Sequence, residues 1–179
     1  MKKNPSSTDY TLFPATILID TREQTPWQFR GLRSKVAGGE MKPLIVPVET
    51  RGLATGDYSL AGFETDGICI ERKSHEDAVQ TFCHGRDRFE RELERMQEFR
   101  YAAVIIEADW SGILYRPPKH SRFTPKSFAE SVVAWSQRFP KTHWFTMPTR
   151  AESEKMCFRV LRRFWRDEEE RVKKETKEN

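Results

Sequence analysis

The chain predicts an α/β fold, with a mixed central sheet flanked by helices. Three observations carry that expectation. Ile17-Leu18-Ile19 and Tyr101-Ala102-Ala103-Val104-Ile105-Ile106 are continuous apolar runs, as in strands covered on both faces. Phe89, Leu93 and Met96, and later Phe128, Val132, Trp135 and Phe139, recur at helical spacing among polar neighbours. Two short extended runs, Tyr58 to Phe63 and Ile68 to Lys73, are separated by a turn around Asp66-Gly67 and can pair as a hairpin.

Residues 1–14 are polar and read as a loosely ordered arm. The main domain is expected over 15–148, opening with a buried strand at Thr16 to Asp20. Pro26-Trp27-Gln28-Phe29 leads into a basic, glycine-containing loop with Arg30, Arg33, Lys35, Gly38, Gly39 and Lys42. Leu44 to Glu49 alternates as a strand does, with Pro47 suiting an edge or a bulge. The hairpin follows, then a helix that Ser74 can cap. A second helix opens at Gly85-Arg86 and runs to about Arg100, with its apolar stripe facing a core. After the strand 101–106, ending at Glu107, Trp110 to Arg122 reads as a loop around Pro117-Pro118. Thr124-Pro125 starts another helix in the N-cap and N1 manner. Thr142 to Thr146 is a short last strand. From Thr149, with Glu152 completing a capping box, a terminal helix over 149–179 carries Cys157, Val160, Leu161, Phe164 and Trp165. Its stripe can pack on the core or form a dimer face, and beyond Asp167 its nearly all-charged end is expected to fray. No internal repeat is present. The expected order is β, β, β, β, α, α, β, α, β, α.

At 179 residues the chain suits one domain with a real core. Charged residues make up 32% and apolar ones 37%, and the net charge of +4 is too modest to argue nucleic-acid binding without regard to where the charges lie. No run of eighteen apolar residues exists, which excludes a membrane-spanning helix, and Lys2-Lys3 is not followed by a signal-peptide core. Cys69, Cys83 and Cys157 are widely spaced and odd in number, with no C-x-x-C pair, so a reducing cytoplasm is expected.

The chemistry concentrates in Gly56-Asp57-Tyr58 and Ile70-Glu71-Arg72-Lys73. Folding back at Asp66-Gly67 brings Asp57 opposite the region of Glu71. Side chains alternate along a strand, so Glu71 and Lys73 share one face while Ile70 and Arg72 take the other. Two carboxylates suit a hard cation such as Mg²⁺ or Mn²⁺, which keeps several waters and needs only one or two protein acids. Such an ion neutralises charge developing on a phosphodiester, and a lysine adds a compact positive charge beside the attacking water or the phosphate. Taken singly, Gly-Asp-Tyr is ordinarily a turn and Glu-Arg-Lys ordinarily a solvated strand end; in order, with an apolar strand between them, they favour a site instead. Asp77, three residues after Ser74, can be a helix cap or a catalytic acid. His75 and His84 lie nearby without a partner at metal-ligand spacing, which argues against zinc. Glu107 is open between a peripheral site acid and a strand-end charge. Tyr115, Arg116, Lys119, His120 and Arg122 mix basic and aromatic groups as phosphate contact and base stacking require, although a solvated loop has the same composition.

The motifs Ile19-Asp20-Thr21-Arg22-Glu23, Gly56-Asp57-Tyr58, Glu71-Arg72-Lys73-Ser74-His75-Glu76-Asp77 and Gly85-Arg86 closely resemble the nuclease domain of the XPF/Hef family of structure-selective DNA endonucleases, within the PD-(D/E)XK superfamily. The resemblance covers roughly residues 16–147 and implies a restriction-endonuclease-like sheet. It further implies that Asp57 and Glu71 bind Mg²⁺ or Mn²⁺ with the main-chain carbonyl of Arg72, and that Lys73 is the catalytic lysine. Asp20, Arg22, Glu23 and Asp77 are implied as further active-site residues. Arg86 is implied as a supporting or DNA-contacting one, beside the candidate DNA contacts Arg72, Arg116, Lys119 and Arg122.

Relatives commonly carry a tandem helix-hairpin-helix module after the nuclease domain, and some carry a helicase before it. A stand-alone form without either is expected here, with selectivity supplied by an accessory DNA-binding partner or absent. The family also implies dimerisation through the terminal elements. The expected function is cleavage of branched DNA, at flaps, forks or junctions, in repair or recombination. Two alternatives are a non-catalytic DNA-binding subunit and a restriction- or recombination-type nuclease acting on other DNA. Degenerate subunits lose acids from these motifs, and this chain keeps them all.

Overall fold

In the computed structural model, residues 9–116 and 124–178 are described. The strands are β1 (Thr11–Leu12), β2 (Ile17–Asp20), β3 (Arg33–Lys35), β4 (Met41–Ile45), β5 (Val48–Arg51), β6 (Tyr58–Leu60), β7 (Ile68–Ser74), β8 (Tyr101–Glu107) and β9 (Thr142–Thr146). The helices are α1 (His75–His84), α2 (Arg86–Met96), α3 (Trp110–Tyr115), α4 (Pro125–Arg138) and α5 (Arg150–Glu178). A six-stranded sheet runs β5-β2-β6-β7-β8-β9. β6 is antiparallel to both neighbours and the remaining pairs are parallel, so the sheet is mixed as expected.

β8 sits inside this sheet and is buried on both faces. Ala102, Val104 and Ile106 face the core under α1, α2 and α4, which holds Phe82, Phe89, Leu93, Phe128 and Trp135. Ala103 and Ile105 face the other core, with Trp27, Tyr58 and the α5 residues Cys157 and Leu161. Two covered faces explain why this strand reads as an unbroken apolar run. The same alternation in β7 sends Cys69 to the first core and Ile68 and Ile70 to the second.

Several expectations differ from the structure in detail. The arm is not loose throughout, because Thr11–Leu12 pairs with β4 and Phe13 is buried against Phe158 and Trp165. The basic loop contains a hairpin, β3 against β4, turned by Gly38 and Gly39, both in the left-handed region at φ 91° and 89°. Leu44 to Glu49 is not one strand. The chain leaves β4 in a second sheet, ordered β1-β4-β3, and enters β5 in the main one, with Val46 and Pro47 as the link.

The second helix ends at Met96, four residues earlier than expected. The segment after Glu107 is not simply loop: Asp109 accepts a hydrogen bond from the Gly112 amide and caps the short α3. α5 packs its first half on the core through Cys157, Phe158 and Leu161. Its charged end stays helical to Glu178, laced by Arg171 with Glu168 and Glu175 and by Lys173 with Glu169. Among the described residues no helix is long and apolar enough to cross a membrane.

Candidate active site

The site forms where β2 and β7 end beside the start of the antiparallel β6. The Asp20 amide donates to the Asp57 carbonyl at 2.8 Å, and the Asp57 amide donates to the Ile70 carbonyl at 2.8 Å. These bonds fix Asp57 between the two strands. Gly56 makes the approach possible: its φ is 75°, and a Cβ there would lie 3.1 Å from the Ile70 carbonyl oxygen. The Asp57 carboxylate accepts from the Arg72 main-chain amide at 2.7 Å, so the expected proximity of positions 57 and 71–72 is realised.

Glu71 and Lys73 do share a face, with Lys73 Nζ 3.1 Å from Glu71 Oε1 and 4.2 Å from the centre of the Phe89 ring. Burial, and then the charge of Glu71, push Asp57 up to about 8. Burial likewise raises Glu71; Lys73 opposes this, while Glu92 on α2 adds to it. Two neighbouring carboxyls that resist ionisation together are what a bound divalent cation would relieve.

Arg72 points the other way. Its guanidinium grips Glu107 through two bonds of 2.8 and 3.0 Å and reaches both oxygens of Glu23 at 3.3 Å. Burial works against its charge, but Glu107 and Glu23 more than restore it and raise the group above its ordinary value. Glu107 also accepts from the Trp27 indole at 2.9 Å and from Arg150 at 3.0 Å. It is therefore the hub of a structural clamp, a role that strand-end position alone did not reveal.

Asp20 is buried, and although burial resists its ionisation, hydrogen bonds from Arg22 hold it below the ordinary carboxylate value. Arg22 bonds Asp20 through Nε at 3.1 Å and the Leu53 carbonyl at 2.8 Å. Asp77 accepts from the Ser74 hydroxyl at 2.6 Å, and its amide donates back to Ser74 at 3.1 Å, so the cap is formed. The same residue lines the cavity.

That cavity measures about 1070 Å³ and brings together Arg22, Glu23, Asp57, Glu71, Lys73 and Asp77. Its far wall comes from α1 and α2 and includes Arg88 and Glu92, which sequence reasoning passed over. Their signal lay in the helical period, since positions 85, 88, 89 and 92 share the face that Phe89 marks. Arg86 is placed elsewhere, bonded to Ser131 and stacked 4.8 Å over the Trp135 ring. Arg116 is exposed just after α3, while Lys119 and Arg122 lie outside the described residues.

Among the described residues, no three His, Cys, Asp or Glu side chains gather into a metal cage. The donor set fits a cation that keeps its waters: two all-oxygen side chains, Asp57 and Glu71, next to one cationic side chain. It does not resemble a zinc site, which takes nitrogen and sulfur ligands. Cys69 and Cys157 are buried, and no cysteine among the described residues is in a disulfide.

The ERCC4 domain matches residues 19–160, most of the chain. The protein belongs to the ERCC4-domain family. This is a DNA-nuclease family, and the match agrees with the XPF-type resemblance read from the four motifs. Two solved structures share the fold. XPF from Aeropyrum pernix in complex with DNA has 19% identity and a TM-score of 0.56, over 86% of this chain and 66% of that one. XPF from Aeropyrum pernix without that complex has 19% identity and a TM-score of 0.55, over 90% and 69%. The chain thus spans about two thirds of the length of these relatives. No curated protein matches it.

Proposed function

We propose that the protein is a metal-dependent DNA endonuclease that hydrolyses phosphodiester bonds near branch points. One observation carries this reading: Asp57 and Glu71, two half-buried carboxyls, open with Lys73 onto one large cavity at the ends of neighbouring strands. Asp57 and Glu71, with the adjoining Arg72 carbonyl, would hold Mg²⁺ or Mn²⁺. When bound, the ion supplies neutralisation of transition-state charge and a more acidic water.

The chain's own groups do the rest. Lys73, kept in place by Glu71 and Phe89, presents a compact ammonium to the reacting phosphate or the attacking water. The Arg72 amide fixes one Asp57 oxygen and leaves the carboxylate's remaining lone pairs for the cavity. The preference for branched over linear duplex rests on the XPF-type resemblance of the four motifs; XPF from Aeropyrum pernix, which shares the fold, is solved in complex with DNA.

The test uses purified protein with Mg²⁺ on forked, flapped, nicked-junction and linear duplexes. Wild type should cut the branched substrates, and Asp57→Asn or Lys73→Ala should lower cleavage by about a hundredfold or more while melting cooperatively. Full activity in either variant removes those residues from the mechanism. Equal cutting of linear duplex removes the branch preference.

A further inference from the structure

We infer that Arg88 is a phosphate-contacting residue on the α2 wall of the cavity, receiving a backbone phosphate of the DNA strand next to the scissile one. This rests on the nuclease reading above and adds a residue that the motifs do not name.

Among the described residues, six carboxyl groups and four strongly basic side chains line the cavity, so a polyanion depends on whichever bases are left unpaired. Three of the four bases are already engaged. Arg22 is held by Asp20 and the Leu53 carbonyl, Arg72 by Glu107 and Glu23, and Lys73 by Glu71. Arg88 differs. It is exposed and makes no hydrogen bond or ion pair among the described residues. Glu92, one turn further along α2, would be its natural helical partner. That carboxylate is taken instead by Arg95 and, at 3.4 Å, by the Gly56 amide.

An uncommitted guanidinium thus faces the same space as Asp57 and Glu71, on a helix whose Phe89, Leu93 and Met96 are buried in the core. A rigid element with a free planar donor fork suits phosphate better than a mobile one. Arg91, also exposed on α2, does not line the cavity and serves as a charge-matched control.

The experiment measures affinity for a labelled forked duplex by anisotropy across a range of KCl, with Ca²⁺ replacing Mg²⁺ to suppress cleavage. Arg88→Ala should weaken binding roughly fivefold at low salt and flatten the plot of log affinity against log salt by about 0.9, the mark of one lost phosphate contact. Arg88→Lys should restore most of the slope, and Arg91→Ala should behave as wild type. An Arg88→Ala slope equal to wild type, or an equal loss in Arg91→Ala, overturns the assignment. Wild type that neither binds nor cuts DNA overturns the nuclease reading itself, and this inference with it.

Discussion

The two faces of β7 use the same residue types for opposite ends. On one face Glu71 and Lys73 form a single ion pair, 3.1 Å apart, that opens into the cavity. On the other, Arg72 is bonded to two carboxylates, and Glu107 in turn binds Trp27 and Arg150. Every charge on the Arg72 face is answered, so that face stabilises. On the Glu71 face Asp57 and Glu71 repel one another, which is why the proposed cation is assigned there. Saturation of partners, rather than burial, separates frame from chemistry here, since both faces are largely removed from solvent.

A matched pair of substitutions gives the strongest contrast. Arg72→Met should cost about 3 kcal/mol in urea melts, because it strands Glu23 and part of Glu107 as buried charges. Lys73→Met should stay within about 1 kcal/mol of wild type, as Glu71 can take up a proton, yet cleave poorly. Equal destabilisation by the two would erase the distinction.

Gly56→Ala should come next, at about 1–3 kcal/mol with impaired cation binding, since it joins a left-handed φ to a close approach on the Ile70 carbonyl. Unchanged melting would show that the Asp57 turn tolerates a side chain. Cations sharpen the comparison from the other side. Mn²⁺ at a hundredfold excess over its dissociation constant should stabilise wild type by about 2.7 kcal/mol and Asp57→Asn far less, while Arg72-face contacts stay unaffected. A shift that survives Asp57→Asn places the ion elsewhere.

The smallest effect lies outside both faces. Glu90 accepts from the Trp135 indole at 2.8 Å and pairs with Arg138, and these hold it below its ordinary value of 4.5. A depressed folded-state value adds stability above 4.5 that is lost as pH falls through the folded value. Glu90→Gln should therefore remove part of the acid sensitivity below about pH 4.5, seen as a shallower fall of melting temperature.

The strand read as Ile68 to Lys73, its face assignment and the meeting of Asp57 with Glu71 were legible in the sequence, because period-two alternation and a turn at Asp66-Gly67 act over short distances. Ser74 was legible as a cap for the same reason. The split of Leu44 to Glu49 between two sheets was not, since local alternation does not say which neighbour a strand will find. Nor was the clamp on Arg72: Trp27, Glu107 and Arg150 are far apart in the chain, and no local pattern links them.

What the order of residues determined alone is the set of elements and the cluster of acids and lysine at two strand ends, through backbone periodicity and turn chemistry. What only the folded molecule decided is which charges are answered and which remain open, with Arg72 closed in and Arg88 left free. Ion pairing depends on distances between distant segments, and packing sets those distances.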